Sequence, residues 1–241
     1  MDWSLYKIVF GLRHKKTFSF SGLSGRMVDQ LLKRFGEGEE LAFHEIAWTN
    51  DRMGFRLKNK LGNMFLECNF EGVVLSYHLS EGETPDIESI KNFYKDILGT
   101  IISTTDAKDS INRIGIIYQY TVDTEENAAK ILFENLLKVD IKGIPDSFGV
   151  RYSLKNVTDE GLVDTTKEDY SNVFFQFSTD KTDKEKISPP NIIDMNIDYQ
   201  IYFSPERNFD KKYIDLHFKS LEKYLSKLEG NSLLEMVSNN E

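Results

Sequence analysis

Three polar residues spaced by two offer the clearest opening for metal chemistry. Asp194, Asn196 and Asp198 interrupt an otherwise apolar run. On a strand they share one face and could supply oxygen ligands to Mg²⁺ or Ca²⁺. Ile193, Met195, Ile197, Tyr199, Ile201 and Phe203 take the other face. That alternation already explains the acids as the wet side of a surface strand. A nuclease would also need an acid and a lysine on a paired strand, and the sequence shows no such pairing. No metal is expected.

The second constellation is basic. Arg13, Lys15 and Lys16 form a turn, and Leu23-Ser24-Gly25-Arg26 precedes a helical stretch. Backbone N–H groups at that helix start, with Arg13, Lys15, Lys16 and Arg26 around them, could cradle an anion. Capping by Ser24 explains the same residues without a ligand. No Walker A or dinucleotide fingerprint occurs. Nucleophilic chemistry has less support. Asp2, His44 and Ser21 or Ser24 could be drawn as a triad, but nothing resembles a nucleophile elbow. Cys68, between Leu66 and Phe70, reads as a small core residue. His14, His44, His78 and His217 are scattered singly. No catalytic residue and no cofactor is expected.

The elements that would carry these groups are well patterned. Leu5, Lys7, Val9 and Gly11 alternate with Tyr6, Ile8, Phe10 and Leu12, the mark of a half-buried strand. Thr17 to Ser21 alternates again and suggests a hairpin. Ser24 then caps a helix with the stripe Met27, Val28, Leu31, Leu32 and Phe35. Four strands follow, at Leu41 to Thr49, Gly54 to Lys58, Asn63 to Asn69 and Gly72 to Leu79, separated by turn residues. Thr84-Pro85 opens a helix whose stripe runs from Ile87 to Ile101. The second half repeats the order: a strand at Ile111 to Val122, a helix capped by Asp123 or Thr124, strands at Phe148 to Val157, Asn172 to Thr179 and Ile192 to Phe203, and a last helix from about Asp210 to Leu228. The boundary falls near Thr104 to Asp109. Asp180 to Ser188 reads as a charged loop, and Ser232 to Val237 as a weaker helical tail.

In the last helix Ile214, Phe218, Leu221, Leu225 and Leu228 step by four, three, four, three. Such a seam either packs on its own sheet or pairs two copies of the chain.

Two stretches carry a resemblance. INRIGIIYQY, Ile111 to Tyr120, and IIDMNIDYQIYF, Ile192 to Phe203, followed by YIDLHFKSLEKYL, Tyr213 to Leu225, resemble matching blocks of a sporadically distributed, uncharacterised bacterial family of about 250 residues defined by sequence. The chain departs from that family in lacking an aromatic or asparagine run after Tyr118. The resemblance supplies no catalytic residues. It implies a bacterial setting, of the kind found among phage-defence or toxin–antitoxin genes.

Composition bounds the rest. The 241 residues carry a net charge of −9, with 40% hydrophobic and 29% charged residues. Residues 1–34 hold seven bases and two acids, which makes them +5 and leaves −14 on the remainder. Direct nucleic-acid binding by the acidic body is therefore disfavoured. One cysteine excludes an internal disulfide, and no apolar run approaches a membrane span. The first residues lack the pattern of a signal peptide, so a cytoplasmic location is expected. The expected fold is α+β: either two similar lobes, 1–106 and 107–241, or one long mixed sheet covered by helices. The leading expectation for function is a non-enzymatic binding subunit whose partner is another protein or a second copy of itself. The alternatives are an enzyme or sensor taking a phosphorylated or nucleotide ligand at the basic corner, and an acidic decoy of a nucleic-acid-binding protein.

Overall fold

Alternation builds the first strand as expected. In β1 (Ser4–His14), Ile8, Phe10 and Leu12 are buried while Lys7, Val9, Gly11 and Arg13 face the other way. The computed structural model describes residues 3–16, 20–36, 42–49, 53–80, 82–105, 110–137, 147–155, 157–158, 161–162, 164–179 and 191–229. Residues 17–19 of the expected hairpin, 106–109 of the expected boundary, the charged loop Asp180 to Ser188 and the tail Ser232 to Val237 lie outside them, as does Asp2.

The next element departs from expectation. Helix α1 (Phe20–Phe35) already includes Phe20, which a hairpin would have placed on a strand. Phe20 is buried and stacks on Phe55 with ring centroids 6.1 Å apart. That contact anchors the first turn of the helix. Ser24 is therefore not the cap; it lies one turn inside α1 and is buried.

The chain continues through β2 (Phe43–Trp48), β3 (Gly54–Asn59), β4 (Met64–Asn69), β5 (Gly72–His78) and α2 (Ile87–Thr104). Asp86, not Thr84, caps α2, accepting the Ser89 N–H at 3.0 Å. Then come β6 (Ile111–Asp123), α3 (Ala128–Leu137), β7 (Gly149–Lys155), the short pair β8 (Val157–Thr158) and β9 (Gly161–Leu162), β10 (Tyr170–Thr179), β11 (Ile192–Arg207) and α4 (Lys211–Glu229). Asn127, rather than Asp123 or Thr124, caps α3 through the Lys130 N–H.

Among the described residues, nine strands form one open sheet in the order β2-β3-β4-β5-β1-β6-β11-β10-β7. Every ladder of this sheet is antiparallel; short turns join β2 to β3, β3 to β4 and β4 to β5, while β1, β6, β11, β10 and β7 pair across longer connections. Of the architectures left open by the sequence, this is the single long sheet. It runs through the expected boundary, since β1 pairs with β6 from Ser4↔Thr121 to His14↔Ile111.

The helices cover one face. Phe10 of β1 touches Tyr94 of α2 and Phe218 of α4, at centroid distances of 5.1 and 5.3 Å. Asp96 of α2 ties that layer together through Lys211 of α4 at 2.6 Å and Arg34 of α1 at 3.6 Å. Among the described residues, no helix lies over the opposite face of the sheet. Among the described residues, no helix is long and apolar enough to cross a membrane.

Candidate functional site

Antiparallel register sorts the open face into cross-strand rows. One row, near the C-terminal end of β1, reads Arg13 (β1), Arg113 (β6), Tyr202 (β11) and Tyr170 (β10). The next row reads Gly11, Gly115, Gln200 and Asn172, and the one after it Val9, Ile117, Asp198 and Phe174. The fourth reads Lys7, Gln119, Asn196 and Gln176.

The first row makes a pocket of about 360 Å³, closed by Asn112, Thr165, Phe203 and Ser204. Arg13 and Arg113 are direct cross-strand partners, so two guanidinium groups project from neighbouring positions. Among the described residues, neither has a carboxylate within ion-pair distance. The Arg113 guanidinium lies 5.7 Å from the Tyr202 ring centre and reaches the Tyr202 hydroxyl at 3.5 Å. Tyr202 in turn stacks on Tyr170, centroids 4.7 Å apart and planes 7° from parallel. The rim is fixed by Asp169, which accepts from the Ser204 N–H at 3.0 Å and from Arg207 at 2.9 Å. Asp164 accepts from the N–H and hydroxyl of Thr166 and so holds the turn that presents Thr165.

A hydrogen-bonded chain leaves this pocket along β11. The Tyr202 hydroxyl donates to Gln200 Oε1 at 2.6 Å, and Gln200 Nε2 donates to Asp198 Oδ2 at 2.6 Å. Burial raises the Asp198 carboxyl above its ordinary value, against the opposing pull of the Gln200 bond and of Arg113 and Arg151. Asp198, Asn196, Gln119, Gln176, Arg151 and Phe174 surround a second hollow of about 210 Å³.

The basic cluster expected from sequence is divided by the fold. Arg13 stands on the open face. Lys15 and Lys16 follow at the end of β1, where Lys16 pairs with Glu71 at 3.0 Å. That pairing holds the Glu71 carboxyl below its ordinary value. Ser24 and Arg26 belong to α1, on the helix side. The anion cradle built on a helix start at Ser24 is thus corrected: the start lies at Phe20, and Ser24 is enclosed.

The seam of the last helix faces inward. Ile214, Phe218 and Leu221 are buried in the chain's own core and Leu225 packs against it. Burial of Ile214, Phe218 and Leu221 fits the first of the two meanings of this seam, packing on the chain's own sheet. The side chain of Leu228 lies outside the described residues. Asp194 and Asp198 sit two rows apart on the open face, as their alternation required. Among the described residues, no three His, Cys, Asp or Glu side chains gather at a cation's reach.

Cys68 is buried and its thiol is pushed up by burial. His217 is fully enclosed on α4, with Nε2 3.1 Å from the Tyr199 carbonyl, and burial pulls it down to about 3. His14 is buried with Nδ1 2.8 Å from the Lys15 carbonyl.

Sequence reasoning missed Arg113, Tyr170, Tyr202 and Gln200. A partial signal was present. The polar alternation at 194, 196 and 198 continues through Gln200 and Tyr202. Arg113 and Gly115 sit two apart on one face of the strongest central strand. Compared with protein-family models and with curated proteins, the chain matches none.

Proposed function

We propose that this chain is a ligand-binding protein that takes a phosphorylated small molecule on the open face of its sheet. The observation that carries this reading is the Arg13–Arg113 pair. Two like charges directly opposite on adjacent strands are unfavourable. Placing them together without a carboxylate creates a site whose missing component is an anion. Each guanidinium offers a planar fork of donors that matches phosphate oxygens. Asn112, Thr165 and Ser204 add polar groups around the same pocket. The tyrosine stack holds Arg113 in place, which lowers the entropy lost on binding. The two arginines come from the first strand of each half of the chain, so the site needs both halves.

The experiment is a thermal melt in phosphate, pyrophosphate or chloride at constant ionic strength. Binding to the folded state alone raises stability by RT ln(1 + [L]/Kd), about 2.7 kcal/mol at one hundred times Kd. Pyrophosphate should raise the melting temperature of the wild type beyond chloride, and Arg113→Gln should remove the difference. Equal melts in all three salts would refute the reading.

One observation favours a second reading, the binding subunit of a protein complex. The edge strand β2 leaves Ile46 and Trp48 exposed, at 41% and 46%. An edge that no described strand pairs, with apolar side chains, suits strand addition by a partner protein. Pull-down from the native host with wild type and Trp48→Asp tests it. A protein held by the first and lost by the second supports it, and identical captures count against it.

A further inference from the structure

We infer that the ligand is a nucleoside phosphate lying along β6, with its phosphate on Arg13 and Arg113 and its sugar and base in the hollow beside Asp198 and Asn196. This inference rests on the phosphate reading above and adds the rest of the molecule.

The path between the two hollows is open. Gly11 and Gly115 are cross-strand partners in the row between them. Neither has a positive φ that would demand glycine. A Cβ on Gly11 would meet nothing nearer than the Gly115 carbonyl at 4.0 Å, and a Cβ on Gly115 nothing nearer than Gln200 Cγ at 3.6 Å. Backbone strain therefore does not explain either glycine. What the pair produces is a side-chain-free channel across two central strands, where side chains at both positions would fill it.

The distances suit the class. Tyr202 and Asp198 are four residues apart on one strand, a span of about 13 Å at the usual rise. An extended nucleoside diphosphate covers that length; inorganic phosphate does not.

The far hollow has the complementary polarity. Asn196 Oδ1 is enclosed and lacks a hydrogen-bond partner among the described residues. In the row between, Asn172 is 8% exposed, and its Oδ1 likewise has no partner. Asp198 accepts from Gln200 through Oδ2. The two asparagine oxygens are acceptors awaiting donors, and sugar hydroxyls and base amino groups are donors. Ile117 and Phe174 give the hollow an apolar floor, and Arg151 lies over the Phe174 ring at 5.0 Å. A hollow of about 210 Å³ has room for one nucleoside. A longer polynucleotide is disfavoured by the net charge of −9.

Isothermal titration with pyrophosphate and with ADP, GDP, CDP and UDP at one ionic strength tests this. At least one nucleotide should bind wild type about tenfold or more tighter than pyrophosphate. Gly115→Val should return that nucleotide to the affinity of pyrophosphate and leave pyrophosphate unchanged. Gly11→Val serves the same purpose should the first variant fail to fold. Asn196→Leu, which removes the unpartnered oxygen and leaves the channel open, should weaken the nucleotide alone. Nucleotide and pyrophosphate binding equally would overturn the inference while the phosphate site stands. So would glycine variants that weaken both ligands alike, or neither. Failure of pyrophosphate to bind at all would remove the phosphate site and the inference together.

Discussion

Arg13 and Arg113 face each other across the β1–β6 ladder, each without a carboxylate partner among the described residues. Charges of one sign at directly opposed strand positions cost stability, and their Cβ atoms stand about 4.5–5.5 Å apart. The sheet tolerates the cost because its core lies on the other face, where Phe10, Tyr94 and Phe218 pack. Strain confined to one corner, with the packed face intact, is a common arrangement for binding sites.

That cost gives the first prediction. Arg13→Gln should make the ligand-free protein more stable by about 0.5 kcal/mol. The same change should weaken pyrophosphate binding. Urea denaturation without ligand, paired with titration, reads both. Loss of stability in Arg13→Gln would show that the pair is not repulsive.

His217 sets an acid limit. It is enclosed on α4 and pulled down to about 3 by burial, from 6.5 when exposed. Between those values the unfolded chain takes up a proton that the folded chain refuses. Stability from this group is therefore present above pH 6.5 and falls as pH drops toward 3. The slope is about 1.4 kcal/mol per pH unit for one proton. His217→Phe should flatten that slope in urea denaturation from pH 7 to 4. An unchanged slope would mean that His217 protonates without unfolding.

Asp198 acts with the opposite sign. Burial raises its carboxyl in the folded state, so ionisation there is costly. The cost is complete above the raised value and absent below 3.8, where both states are protonated. Asp198→Asn should therefore be more stable than wild type at pH 8, with the advantage disappearing near pH 3. Denaturation at the two pH values checks it. A variant less stable at pH 8 would show that Asp198 is needed as an anion, held by Arg113 and Arg151.

Leu221 is fully buried beneath the sheet. Leu221→Ala should lose about 3 kcal/mol of stability and leave the sedimentation coefficient unchanged. A variant that keeps its stability but sediments more slowly would favour the dimer seam.

The strands were legible because half-buried antiparallel strands repeat every two residues, and nearly every expected strand falls within a few residues of an observed one. Phe20 was not legible. Its local alternation suits a strand, but burial against Phe55 places it in a helix, and only tertiary contact reveals that. The seam of α4 had two meanings, since a stripe that docks on a sheet has the same spacing as one that pairs helices. The site was half legible. Arg13 stood out as part of a basic turn, and Asp198 as one of a polar series. Arg113 is distant in sequence, and nothing local says that β6 will pair with β1 at a register opposing the two arginines. Register follows from burying one face of each strand, so a candidate site made of cross-strand rows emerges only once the sheet is assembled.

The most direct measurement is the nuclear magnetic resonance of the arginine Nε–Hε groups during titration with pyrophosphate at constant ionic strength. The signals of Arg13 and Arg113 should shift together and saturate, while those of Arg26 on α1 and Arg56 on β3 stay in place. A uniform, unsaturating drift of all arginines, or no movement at Arg13 and Arg113, would contradict the proposal that this pair receives a phosphate.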